Sequence, residues 1–205
     1  MLLRLVFTAL LCASTFLVCA QADTTQLRAR LTDYGRFTTE MQLDSLLDYI
    51  DPELFEIVDR PTMRATFALI TENPDMDIRF RDFEIDRIGA VVDAEGDAFA
   101  PVTTRCLMSM RMTSEAYREP LFLESLASGL RRQYGTDRVR IDKERAIILV
   151  DLKKTIFAVR RAPRGRHTKS LASWHFLEHN AANPELLDLL VPSEVRQQFD
   201  LGPAH

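Results

Sequence analysis

Glycine is scarce in this chain, with seven among 205 residues, and tryptophan occurs once. No glycine-rich loop is present to cradle a phosphate, and no linker, internal repeat or low-complexity stretch divides the chain. A basic excess is also missing, because 26 Lys and Arg face 30 Asp and Glu for a formal net charge of −4. The expectation is a protein without a nucleic-acid partner. Long apolar runs are limited to one, Leu5 to Ala20, shorter than the roughly 18 apolar residues that a spanning helix needs.

That run sits behind Met1-Leu2-Leu3-Arg4 and ahead of the small-residue site Ala20-Gln21-Ala22, the pattern of a secretory signal cleaved after Ala22. A membrane anchor is the alternative, and no stop-transfer flank supports it. Lipidation at Cys19 is a second alternative, with Val18 in place of the small residue expected before the modified cysteine. The expected organisation is residues 1–22 as signal peptide and 23–205 as a single α+β domain, exported to the periplasm or the exterior, with no membrane span in the mature chain. A domain of that length buries a core without a metal or disulfide staple.

Cysteine is nearly absent from that domain. Cys12 and Cys19 leave with the signal, so Cys106 has no internal partner. It shares one face of a period-two pattern with Val102, Thr104, Met108, Met110 and Met112, opposite Thr103, Arg105, Ser109 and Arg111. Leu107 is the exception on the polar face. An apolar setting offers nothing to lower the thiol pKa, so Cys106 reads as a core residue rather than a nucleophile.

Local signals supply the remaining elements. Leu27, Leu31 and Tyr34, then Leu43, Leu46, Leu47 and Ile50, have helical spacing, and Asp51-Pro52 ends the second run. Asp59 caps a third helix through Met63, Phe67 and Ile70 that stops at Asn73-Pro74. Ile78, Phe80, Phe83, Ile85 and Ile88 alternate as a strand whose phase slips at Asp82, as at a β-bulge. The turn Ala94-Glu95-Gly96-Asp97 leads into the methionine-bearing strand, and Pro120 opens a helix ending near Gly135. Strands are expected at Arg138 to Asp142, Ala146 to Leu152, Thr155 to Arg161 and Leu171 to Glu178, followed by short helices at Pro184 to Leu190 and Ser193 to Phe199, the latter capped by Ser193.

Helices first and alternating strands afterwards predict an α+β fold, with N-terminal helices packed on a curved, mostly antiparallel sheet, one helix inserted between strands, and short C-terminal helices. The block Leu46-Leu47-Asp48-Tyr49-Ile50-Asp51-Pro52-Glu53-Leu54-Phe55, the turn Glu95-Gly96-Asp97, and Ala172-Ser173-Trp174-His175-Phe176-Leu177-Glu178 resemble exported proteins of the NTF2-like, cystatin-like cone superfamily. The resemblance implies a pocket between sheet and helices. It implies no reaction, because that superfamily holds enzymes and binders alike, and its Asp/His pairing has no counterpart position here.

One chemical motif is present. His175-Phe176-Leu177-Glu178-His179 spells the H-x-x-E-H of inverted zinc metalloproteases. Zinc needs both histidines on one helical face, yet the segment reads as a strand, where i and i+4 lie roughly 13 Å apart. No catalytic residue, metal ligand or cofactor is assigned on this basis. Arg160, Arg161, Arg164, Arg166, His167 and Lys169 form a basic loop suited to an anion or an acidic partner surface, or simply to solvent.

Phe80, Met108, Met110, Phe157 and Trp174 could line a cavity for a small apolar ligand, methionine adapting to irregular shapes, or could equally fill a packed core. Three classes follow: a non-enzymatic binder of an apolar ligand, a structural or protein-interaction module with a filled core, and a zinc-dependent hydrolase. The ranking favours binding over chemistry.

Overall fold

A computed structural model describes residues 24–163, 173–178 and 184–199. Helix α1 (residues 24–39) buries Leu27, Leu31 and Tyr34, the spacing the sequence shows. Helix α2 (Leu43–Leu47) is short, and Asp51 opens a single 3₁₀ turn at Pro52. Helix α3 (Arg60–Thr71) starts where expected, with the Asp59 side chain accepting from the Thr62 amide. It buries no residue, and Leu69 and Ile70 stand exposed on it.

Six antiparallel strands make one curved, open sheet, so the α+β class holds. They are β1 (Met76–Ile88), β2 (Val92–Ala94), β3 (Asp97–Met112), β4 (Val139–Asp142), β5 (Ile147–Arg160) and β6 (His175–Glu178). β3 and β5 pair along their length at the centre. β1 and β2 flank β3, while β4 and β6 flank β5 at opposite ends. The expected bulge is present: Asp82 has a φ of 55° and the register with β3 slips between Arg81 and Glu84. Glu95 and Gly96, both at positive φ, close the β2–β3 hairpin as a two-residue turn.

Two readings are corrected. The strands expected at 146–152 and 155–161 are one strand, because Lys153-Lys154 contains no turn residue and the alternation keeps its phase across it. Ser193 is the first residue of helix α6 (Ser193–Gln198) rather than its cap, a position Pro192 holds without a side-chain bond.

Even-numbered residues of β3 and β5 face one side of the sheet, which we call the inner face. At one end α1 covers Ala98, Ala100, Val102, Ile156 and Ala158. At the other, helix α4 (Pro120–Tyr134) covers Met110, Met112, Ile148, Val150 and Leu152 with Leu123 and Ala127. α1 lies so close that a Cβ on Gly35 would come within 2.2 Å of the Phe83 ring, which explains a glycine inside a helix. On the outer face, Phe99, Phe157 and Val159 form a third core with Leu54 and with Leu187, Leu190 and Val195 of helix α5 (Pro184–Leu190) and α6.

Candidate functional site

The five residues expected around an apolar cavity do not all meet: Phe80, Met108 and Met110 pack together, with Phe80 also bordering a cleft beside β1, while Phe157 and Trp174 lie elsewhere. Trp174 is fully buried in the α1 core, Met110 lies in the α4 core with Phe80 and Met108 packed at its margin, and Phe157 is buried on the other face of the sheet. Period-two geometry makes this unavoidable, since Phe157 and Met110 occupy positions of opposite parity on paired strands. Met110, Phe157 and Trp174 are buried core residues, while Phe80 and Met108 are half-buried.

The basic cluster also divides. Arg164, Arg166, His167 and Lys169 lie outside the described residues. Arg160 ends β5 with its guanidinium 5.0 Å from the Trp174 ring centroid. Arg161 departs from a surface role: its side chain is 5% exposed and it sits among Asp51, Asp97 and Glu53. Its Nη2 donates to Asp51 at 2.5 Å and to the Leu190 carbonyl at 3.0 Å, and its Nη1 donates to Asp97 at 2.9 Å. Burial works against its charge, but Asp51 foremost and the other carboxylates outweigh that and raise its pKa. The cluster ties the chain before α3, the start of β3 and the end of α5 to one guanidinium.

His175 and Glu178, three apart on β6, point to opposite faces. His175 is 3% exposed with Nδ1 unpartnered, and burial, with the nearby Arg30 charge, pushes its pKa down. Glu178 instead accepts from Tyr34 at 3.2 Å and from Lys154 at 2.8 Å on the inner face. They cannot ligate one ion through this strand. His179 lies outside the described residues, and among the described residues no group of three His, Cys, Asp or Glu is placed to hold a metal.

The Tyr34–Glu178–Lys154 chain fills the inner face between the α1 and α4 cores, with Cys106 beside it. Burial first, and Glu178 second, hold the Tyr34 hydroxyl well above its ordinary pKa. Lys154 loses by burial and gains more from Glu178, so it stays a cation. Burial pushes the Cys106 thiol up, and its Sγ donates to the Arg81 carbonyl at 3.3 Å. A protonated, bonded thiol is a poor nucleophile, as the apolar pattern implies.

What remains open is the outer face beyond the third core. There Asp77, Arg79 and Arg81 of β1, Arg105, Leu107, Ser109 and Arg111 of β3, Leu149 and Asp151 of β5 and Arg140 of β4 stand on one side of four paired strands. Leu107, Ser109 and Leu149 belong to none of the three cores. Arg105 forks onto Asp151 at 2.8 and 2.6 Å, and Arg111 and Arg79 share Asp77, yet these arginines keep 54, 56 and 67% of their side-chain surface exposed. Arg81 and Arg140 have no ion pair among the described residues. The signal for this face was in the sequence, as the alternate positions opposite the methionines, but only strand pairing shows that Arg79, Arg105 and Asp151 are neighbours.

Two clefts flank the sheet. One, about 820 Å³, runs between the exposed side of α1 and the bulged edge of β1. The other, about 730 Å³, lies at the edge of β5. Among the described residues no helix is long and apolar enough to cross a membrane. No family model matches the chain, and no curated protein matches it.

Proposed function

We propose that this protein is a non-enzymatic interaction module, exported from the cell, whose core is filled and whose outer sheet face recognises an acidic protein surface. The observation that carries the reading is the open arginine field of Arg79, Arg81, Arg105, Arg111 and Arg140 around Leu107 and Leu149. Arginine is the cation enriched at protein interfaces, because its planar fork binds carboxylates bidentately and is weakly hydrated. Asp77 and Asp151 hold three of the five in place, so a partner meets pre-arranged donors and loses less side-chain entropy. The surrounding chain carries net negative charge, which repels an acidic partner elsewhere and orients it to this face.

An acidic peptide such as a fluorescent poly-glutamate 12-mer tests the reading by anisotropy at low salt. Binding is expected to weaken by at least about tenfold in the double reversal Arg81→Glu, Arg140→Glu, since each lost charge-assisted contact is worth roughly 1.5–3 kcal/mol. Undiminished binding by a folded double variant, or no binding by the parent, would overturn it.

A further inference from the structure

The edge of β5 has a gap. β4 pairs with it from Ile147 to Val150 and β6 from Ile156 to Val159, so residues 151–155 have no partner strand on that side among the described residues. Backbone N–H and C=O groups at alternate positions of such a stretch face outward. The 730 Å³ cleft lies against this gap. Arg87, Thr103 and Thr155 stand side by side across β1, β3 and β5, with Lys153 two residues along the same face. The end of α4 brings Gln133 and Tyr134, and Arg138 follows just before β4. Lys154 enters from the inner face.

The lining therefore holds four cations and one carboxylate, Asp86, on a chain that is acidic as a whole. Asp86 pairs with Lys153 at 3.9 Å and Glu178 with Lys154 at 2.8 Å, which leaves the guanidiniums of Arg87 and Arg138 without a carboxylate partner in the lining. The side chains of Arg87 and Arg138 make no ion pair or hydrogen bond among the described residues. The positive field reaches beyond the cleft, since Asp151 is held below the usual carboxylate range by Arg105 first and by Arg138 and Arg140 in addition. Hydroxyls of Thr103, Thr155 and Tyr134 and the Gln133 amide add neutral donors. The lining contains no aliphatic side chain, which disfavours an apolar occupant.

We propose that this cleft is a binding site for a small tetrahedral oxyanion of the phosphate type, free or as a monoester, held by Arg87, Arg138 and Lys153 with Lys154 behind them. Guanidinium forks match such oxygens in pairs, and ammonium groups add point charge. Multiple cations at one cleft favour the dianion over the monoanion. The site uses residues distinct from the open arginine field, so it stands or falls independently of the interaction face.

Isothermal titration of the protein with sodium phosphate at low salt, at a pH of about 7.5 where phosphate is largely dianionic, is expected to show one site per chain. Arg87→Ala with Arg138→Ala should weaken it by at least about tenfold, while Arg196→Ala on α6, which does not line the cleft, should leave it unchanged. If the double variant melts early, Lys153→Gln alone, at a half-exposed side chain, should still weaken binding severalfold. Titration with glycerol 3-phosphate separates the sources: tighter binding than inorganic phosphate assigns the site to a monoester, and weaker binding assigns it to the free ion. Absence of heat with both ligands, or binding that survives the folded variants undiminished, would overturn the site.

Discussion

Strands β3 and β5 present the same outer face along their whole length, yet its two ends behave oppositely. At the end under α5 and α6, Phe99, Phe157 and Val159 are buried and Arg161 is sealed among carboxylates. At the other end, Arg105 and Arg111 make ion pairs of similar length in open solvent. Pairing alone does not decide what an ion pair contributes. Desolvation does: a buried guanidinium stripped of a partner cannot be rescued by water, whereas an exposed one can.

The largest losses are expected at the covered end. Arg161→Ala should cost about 3–5 kcal/mol in urea unfolding, because it leaves Asp51 and Asp97 buried without their cation. Phe157→Ala should cost a similar amount, about 3–5 kcal/mol, through the cavity it opens beneath α6. A loss below about 1 kcal/mol for either would show the covered end to be as permissive as the open one. On the inner face, Gly35→Ala should cost about 1–3 kcal/mol by forcing α1 away from Phe83, read as a lowered melting temperature.

Acid sharpens the contrast. The folded-state pKa of His175 is depressed below its usual 6.5, so the unfolded chain takes up a proton first as pH falls. Stability should therefore be fully present above that value and decline below it, and His175→Leu should flatten this segment of the stability-against-pH curve. An unchanged slope in the variant would mean another group carries the proton uptake. The smallest effect belongs to the open end: Arg105→Ala should change stability by less than about 1 kcal/mol, and added salt should shrink the change further.

Much of the scaffold was legible in the chain. The helix spacing of Leu27, Leu31 and Tyr34, the Asp59 cap, the bulge at Asp82 and the Glu95-Gly96 turn are all local signals, set by residues within a few positions of one another. The methionine face of β3 likewise follows from period-two alternation. Arg161 was illegible for the opposite reason. It follows Arg160 in a basic run, and its partners Asp51 and Asp97 lie 110 and 64 residues away, so nothing nearby distinguishes it from a solvated neighbour. Phe157 and Trp174 fit an apolar site by residue type, but strand parity and β6 pairing assign them to opposite faces. The β5-edge cleft combines residues from β1, β3, α4 and β5, and no window of sequence contains it.

The proposed recognition surface is the open end of the outer face. Titrating the isotope-labelled protein with poly-glutamate and following backbone amide and arginine side-chain N–H resonances tests it most directly. Shifts are expected at Arg79, Arg81, Arg105, Arg111 and Arg140, fading as salt is added, with Arg161 unmoved. Shifts concentrated on α1, or spread evenly over the surface, would contradict it.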